Sequence, residues 1–129
     1  MPKAFHLAEQ KIVAFVATAD PKKAMAFYRD TLGLTLVAEQ LPFALVFDAH
    51  GTTLRVQIVD QVIPARYTSL GWRVDDIVVA VKALEKAGVR FERYEGMGQD
   101  ELGIWSSPSG AKVAWFKDPE GNTLSIGQQ

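Results

Sequence analysis

The sequence of 129 residues contains no cysteine, which excludes disulfide bonds, thiolate metal sites and a cysteine nucleophile. A chain without thiols suits a reducing compartment, and we therefore expect a cytoplasmic protein. Histidine is scarce as well, with two residues in the chain. No Ser/His/Asp constellation, Walker loop or dinucleotide-binding glycine motif is present, so these common arrangements for catalysis and nucleotide binding are excluded.

The chain also lacks an excess of charge of either sign and lacks long apolar runs. The 14 basic and 15 acidic residues give a net charge of −1 and form no basic stripe, so we expect no nucleic-acid partner. No apolar run approaches the roughly 18 residues that a membrane span requires, and no signal-peptide pattern is present. We expect no membrane segment, and the length fits a single domain over residues 1–129.

The first half of the chain is predicted to form one helix flanked by strands. Asp20-Pro21 is typical of a helix start, because the carboxylate can cap free N–H groups and proline fits the first turn. Apolar residues at helical spacing over 22–32 predict a helix that ends at Gly33. An arm is predicted at 1–10, and strands are predicted at 11–19, 34–39, 43–48 and 52–59.

The second half has the same order of elements. A strand at 69–74 is followed by Asp75-Asp76, which can cap a second amphipathic helix, and Gly88 is placed to end that helix. Further strands are predicted at 89–95, 103–107, 111–117 and 123–127.

The two halves can be aligned with each other. Asp20 aligns with Asp76 at an offset of 56 residues, whereas 51–56 aligns with 121–126 at an offset of 70. The larger offset indicates an insertion in the second copy, within 94–102. We therefore predict an α+β fold of two tandem βαβββ modules, about 11–60 and 67–128. The alternative is an unrelated α+β domain in which the turn residues coincide by chance.

Two motifs resemble those of a known family. Asp20, Ala26-Phe27-Tyr28 and Leu32-Gly33-Leu34 resemble the helix signature of the vicinal oxygen chelate superfamily, which includes glyoxalase, bleomycin resistance proteins and dioxygenases. Residues 116–122 resemble its Asp-Pro-x-Gly-Asn turn, and the resemblance covers 11–128. It implies that the modules form a curled mixed sheet around a central cleft and that the chain forms a homodimer.

The metal site of that superfamily is missing from this sequence. Active relatives bind a divalent cation through a His or Gln in each first strand and a Glu in each last strand. The matching positions here are Val13, Arg55, Ser69 and Ser125, of which two lack a donor atom and two are weak hydroxyl ligands. We expect a member of the superfamily that has no metal and no cofactor. A relocated metal site that uses His6 or His50 is the alternative.

Strand alternation indicates which side chains face the predicted cleft. The predicted ligand-binding residues are Phe15, Arg55, Gln57, Ser69, Arg73, Trp105, Trp115 and Ser125, with Ile104 as the alternative to Trp105. Two arginines beside aromatic rings suit an anionic or aromatic small molecule. Two points stay open: Arg55 and Arg73 could instead pair with acidic residues, and Asp100 with Glu101 could be either a base at the cleft mouth or a solvated loop.

The sequence favours a metal-independent small-molecule-binding protein of the glyoxalase/bleomycin resistance type. The alternative is a lyase, isomerase or dioxygenase-like enzyme that uses the same cleft, although no catalytic residue can be named. A third possibility is an accessory domain whose cleft is vestigial, and the presence of an open pocket would count against it.

Overall fold

The computed structural model describes residues 4–129, in which the elements follow the predicted order. The first half contains β1 (Val13–Thr18), α1 (Pro21–Met25), β2 (Thr35–Gln40), β3 (Ala44–Ala49) and β4 (Thr52–Ile58). The second half contains β5 (Thr68–Arg73), α2 (Ile77–Lys86), β6 (Trp105–Ser106), β7 (Lys112–Lys117) and β8 (Thr123–Gln128). The predicted arm contains a 3-10 turn at Leu7–Glu9, and its first three residues lie outside the described residues.

The strands form two four-stranded mixed sheets, in the orders β1-β4-β3-β2 and β5-β8-β7-β6. The pairs β1/β4 and β5/β8 are parallel, and the other pairs are antiparallel. Arg55 pairs with Phe15, and its aligned residue Ser125 pairs with Gly71, which is the counterpart of Phe15. This equivalent register confirms the α+β fold of two tandem modules with a curled sheet, so the repeat is not a coincidence.

Equivalent aspartates begin the two helices. Asp20 accepts a hydrogen bond from the Lys23 backbone N–H at 3.2 Å, and Asp76 accepts one from Val79 N–H at the same distance. After Met25 the first helix continues as a π-helical segment, Ala26–Thr31, within the predicted range. In residues 4–129, no helix is long and apolar enough to cross a membrane.

The strand predicted at 89–95 is wrong. Phe91 forms an isolated bridge with Phe116, and the chain then leaves the sheet until β6. The side chain of Gln99 takes the place of a strand partner, because it accepts from Tyr94 N–H at 2.7 Å and donates to the Glu92 carbonyl at 3.0 Å. Amide side chains that satisfy backbone groups in this way compete with strand pairing. These contacts depend on how the loop folds back, which an alternating pattern of apolar residues does not reveal.

Alternation along the strands separates a buried face from an open face. The buried face consists of the apolar residues predicted to lie under the helices, which are Leu54, Val56, Leu70, Trp72, Leu124 and Ile126. Both sheets contribute to one hydrophobic core, which also contains Tyr28 of the first helical region and Val81 of α2. The residues of opposite parity form the open face, which the helices leave uncovered.

The turn at residues 118–122, named the clamp here, is built around the buried carboxylate of Asp118, which is 6% exposed. Its Oδ2 atom accepts from the Tyr28 hydroxyl at 2.6 Å and from the Asn122 side chain at 2.8 Å. Its Oδ1 atom accepts from the backbone N–H groups of Glu120 and Asn122 at 3.0 and 2.9 Å. One carboxylate thus fixes the turn and ties it to the first helical region.

The clamp also binds the end of β1. Glu120 Oε2 accepts from the Thr18 hydroxyl at 2.9 Å and from Ala19 N–H at 2.7 Å. The Asn122 side chain donates to the Ala17 carbonyl at 3.0 Å. The Asp-Pro-Glu-Gly-Asn motif therefore does more than reverse the chain, because it joins the second module to the first.

Removing the Asp118 carboxylate should strongly destabilise the fold. We expect Asp118→Ala to lower the free energy of unfolding by about 3 kcal/mol, because buried donors of Tyr28 and Asn122 lose their partner. Urea denaturation followed by circular dichroism measures the loss. Asp48→Ala is the matched control, since Asp48 is aligned with Asp118 but is exposed and accepts only from Gly51 N–H. Equal losses in the two variants would contradict the role of the clamp.

The clamp should also make stability depend on alkaline pH. Burial raises the pKa of Tyr28 well above its ordinary value, and the Asp118 carboxylate raises it further. The unfolded tyrosine ionises near pH 10 while the folded one keeps its proton, so stability is lost as the pH rises above about 10. By pH 11 we expect Tyr28 to contribute a loss of about 1.4 kcal/mol. Urea titrations at pH 9 and 11 should show a smaller loss for Tyr28→Phe; an identical loss would contradict this assignment.

Candidate functional site

The open face of the first sheet carries large side chains. Phe15, Arg55 and Val46 are paired in register across β1, β4 and β3, so their side chains lie side by side. Phe15 is 55% exposed although it is a large apolar residue. The Arg55 guanidinium donates to Gln40 Oε1 at 2.7 Å, and it forms no ion pair with an acidic residue of the described chain.

The equivalent positions of the second sheet form a floor with few side-chain atoms. Gly71, Ser125 and Trp115 occupy the same register as the row in the first sheet. A Cβ atom placed on Gly71 would lie 2.8 Å from Ser125 Oγ, so the glycine leaves the space above this hydroxyl open. Gly127 extends the floor along β8.

An aromatic wall borders this floor. Trp105 and Trp115 lie on adjacent strands with ring centroids 6.1 Å apart, and Tyr94 contacts Trp115 edge to face at 5.7 Å. Partial burial raises the pKa of Tyr94, and the Glu92 carboxylate raises it further, which keeps the phenol neutral and able to donate a hydrogen bond. A tilted contact and an edge-to-face contact of this kind hold the rings in place, and both indole rings belong to half-buried residues.

A cavity of about 270 Å³ lies on the open face where the two modules meet. It brings together three of the predicted ligand-binding residues: Phe15, Gln57 and Ser69. The segment between the modules adds Ile63 and Ala65. Arg55, Trp105, Trp115 and Ser125 lie elsewhere on the open face and do not line this cavity.

Arg73 occupies a different place from the other predicted residues. It lines two cavities of about 200 Å³ each, in both cases together with Trp72 of the buried face. Its backbone pairs with Gly127, so the residue itself belongs to the second sheet at the end of β5. The long side chain therefore lies near the boundary between the modules.

The residues present do not suit the divalent cation of the resembled superfamily. The four matching positions hold Val13, Arg55, Ser69 and Ser125, a set without a carboxylate, an imidazole or an amide oxygen. Within residues 4–129, no group of three or more His, Asp or Glu side chains is close enough to hold a metal ion. No step of any reaction can be derived through a metal from this donor set.

Sequence reasoning missed Tyr94 and the role of Gln40. Tyr94 lies in the segment wrongly predicted as a strand, and only the folded loop brings its ring to Trp115. Gln40 contacts Arg55 from another strand, a juxtaposition without a local signal. Asp100, considered as a base, instead accepts hydrogen bonds from two backbone N–H groups of its own loop, each at 2.9 Å.

Comparison with known proteins supports the superfamily that the sequence motifs resemble. A sequence profile of the Glyoxalase/Bleomycin resistance protein/Dioxygenase superfamily matches residues 5–126. No curated protein matches the sequence. Among solved structures, a superfamily member from Sphaerobacter thermophilus DSM 20745 is 27% identical, with a TM-score of 0.69 over 92% of this chain and 97% of that one.

Two further solved structures share the fold at lower identity. A glyoxalase family protein from Enterococcus faecalis is 19% identical, with a TM-score of 0.74 over 93% of this chain and 98% of that one. Lactoylglutathione lyase from Agrobacterium tumefaciens is 21% identical, with a TM-score of 0.70 over 92% and 93% of the two chains. The matched profile, the repeated sheets and the clamp motif together place this chain in the glyoxalase/bleomycin resistance protein/dioxygenase superfamily.

Proposed function

We propose that this protein binds a small aromatic or anionic molecule on its open face without the aid of a metal ion. The observation that carries the proposal is the floor of Gly71, Ser125 and Gly127 beside the rings of Trp105 and Trp115. A flat molecule can lie on such a floor with one edge against the aromatic wall. The Ser125 hydroxyl is available to it, because it forms no hydrogen bond within the described chain.

The first module supplies complementary groups. The guanidinium of Arg55 has five N–H groups and donates one of them to Gln40. The other N–H groups remain available to a carboxylate, phosphate or phenolate. Phe15 adds an exposed ring, and Gln57 and Ser69 add polar atoms at the mouth of the 270 Å³ cavity. An open cavity also argues against an accessory domain with a vestigial cleft.

A homodimer would complete the binding cleft. The open face of one chain exposes Phe15 and Val13 to 55% and 44%, and Phe43 beyond β2 is 70% exposed. Large apolar side chains that are exposed to this extent favour association with a second copy. Light scattering of the purified chain measures the oligomeric state. The cysteine-free sequence continues to favour a cytoplasmic location.

The first test is native mass spectrometry with metal analysis on protein purified without chelator or affinity tag. The proposal expects a metal-free protein with a small organic adduct. Stoichiometric Zn, Ni, Mn or Fe would contradict it and would favour the alternative, an enzyme of the lyase, isomerase or dioxygenase type that uses the same face.

Added metal ions should leave the melting temperature unchanged. An ion present at 100 times its dissociation constant would stabilise the fold by about 2.7 kcal/mol, which thermal denaturation detects easily. We expect no shift with 1 mM Ni²⁺, Zn²⁺ or Mn²⁺. The matched control installs the missing ligands by Val13→His, Arg55→Glu, Ser69→His and Ser125→Glu, and this variant should gain stability from metal. A shift in the unmodified chain would contradict the proposal.

An aromatic carboxylate should bind through the wall and Arg55. With 4-hydroxybenzoate as the probe, we expect shifts of the Trp105 and Trp115 indole N–H signals in NMR titrations. Trp115→Leu should weaken binding about fivefold to tenfold, because the ring contact is lost. Arg55→Gln should weaken 4-hydroxybenzoate but not the neutral 4-hydroxybenzyl alcohol.

The control for this titration is Arg90→Gln, which removes an exposed cation beyond α2 and should leave the affinity unchanged. Shifts that appear away from the open face would contradict the proposed site. An affinity that is equal in the unmodified chain and in Trp115→Leu would contradict the role of the aromatic wall.

A further inference from the structure

We propose a second ligand site at the end of β5, where Arg73 and an adjoining apolar cavity would bind a medium-chain aliphatic monocarboxylate. The cavity has a volume of about 200 Å³ and lies on the helix side of the second sheet, away from the open face. Its lining is apolar except for Arg73 and includes Leu34, Trp72, Ala80, Leu84 and Phe116. The site is independent of the function proposed above.

The lining is aliphatic and held in place by the core. Trp72 stacks on Phe116 with centroids 6.4 Å apart and planes 20° apart, which forms a fixed wall. Leu84 and Ala80 of α2 face residues that follow the first helical region, including Leu34, so both modules contribute to the cavity. Apolar walls with a single polar group at the edge match a molecule that has an alkyl chain and one charged end.

Arg73 is the polar group, and no side chain among the described residues pairs with it. It forms no hydrogen bond or ion pair within residues 4–129, and Asp75, two residues further along the chain, is not an ion-pair partner. It also lines a second cavity of about 200 Å³, where Thr52 adds a hydroxyl group. A carboxylate next to the guanidinium would gain charge-assisted hydrogen bonds.

The repeat explains why the second cavity opens beside Arg73. The clamp joins Asn122 to the Ala17 carbonyl at 3.0 Å, and the aligned residues on the other side are Thr52 and Arg73. There the pair is not hydrogen-bonded and instead borders the second cavity. The Asn122–Ala17 hydrogen bond thus fills one side of the module boundary, whereas the equivalent position on the other side is a cavity next to the guanidinium of Arg73.

The test is an NMR titration with octanoate as the probe, using octan-1-ol as the neutral analogue. We expect octanoate to shift the Trp72 indole N–H and the backbone amides of Ala80 and Leu84. Arg73→Gln should weaken octanoate binding about tenfold and leave octan-1-ol unaffected. Ala80→Leu fills the cavity and should weaken both molecules, with a dispersed NMR spectrum as the check that the variant is folded.

Arg90→Gln is the matched control, because it removes an exposed cation that does not line the cavity and should not change octanoate binding. Octanoate shifts at Trp105 and Trp115, equal affinity in Arg73→Gln, or no shifts at all would overturn the second site. Those results leave the 4-hydroxybenzoate titration unaffected, so failure of this site and failure of the open-face site are distinguishable.

Discussion

The buried carboxylate of Asp118 is the interaction on which the arrangement of the two modules depends. It accepts four hydrogen bonds, from the Tyr28 hydroxyl, the Asn122 side chain and two backbone N–H groups. A buried charge is tolerated only when its hydrogen-bonding capacity is filled, so the turn, the first helical region and the end of β1 must keep their mutual positions. The shape of the open face therefore depends on the hydrogen bonds of Asp118, because they fix the position of one module relative to the other.

From Leu70 onward the parallel strand pair of the second module has the same register as that of the first, but the side chains at equivalent positions differ. Phe15 and Arg55 correspond to Gly71 and Ser125, so one sheet presents bulk and charge where the other presents a bare floor. Copies that have diverged in this way can bind different parts of one ligand. The proposed binding function rests on the aromatic surfaces and the guanidinium of this face.

Much of the fold was predictable because its signals are local. The cap residues Asp20 and Asp76 and the alternating apolar positions each act within a few residues, and the structure confirms them. The strand predicted at 89–95 is wrong because Gln99 satisfies the backbone there, and this depends on how the loop folds back. For the same reason Tyr94 was missed as part of the aromatic wall.

The sequence by itself determined the two modules, their register, the superfamily and the lack of good metal ligands at the four matching positions, because periodicity, caps and residue chemistry are written in the chain. Tertiary structure alone decided which predicted residues meet. It gathers Phe15, Gln57 and Ser69 in one cavity, while Arg73 lines others. Such contacts join residues far apart in the chain, and their geometry follows from sheet curvature and packing between modules, which no local pattern specifies.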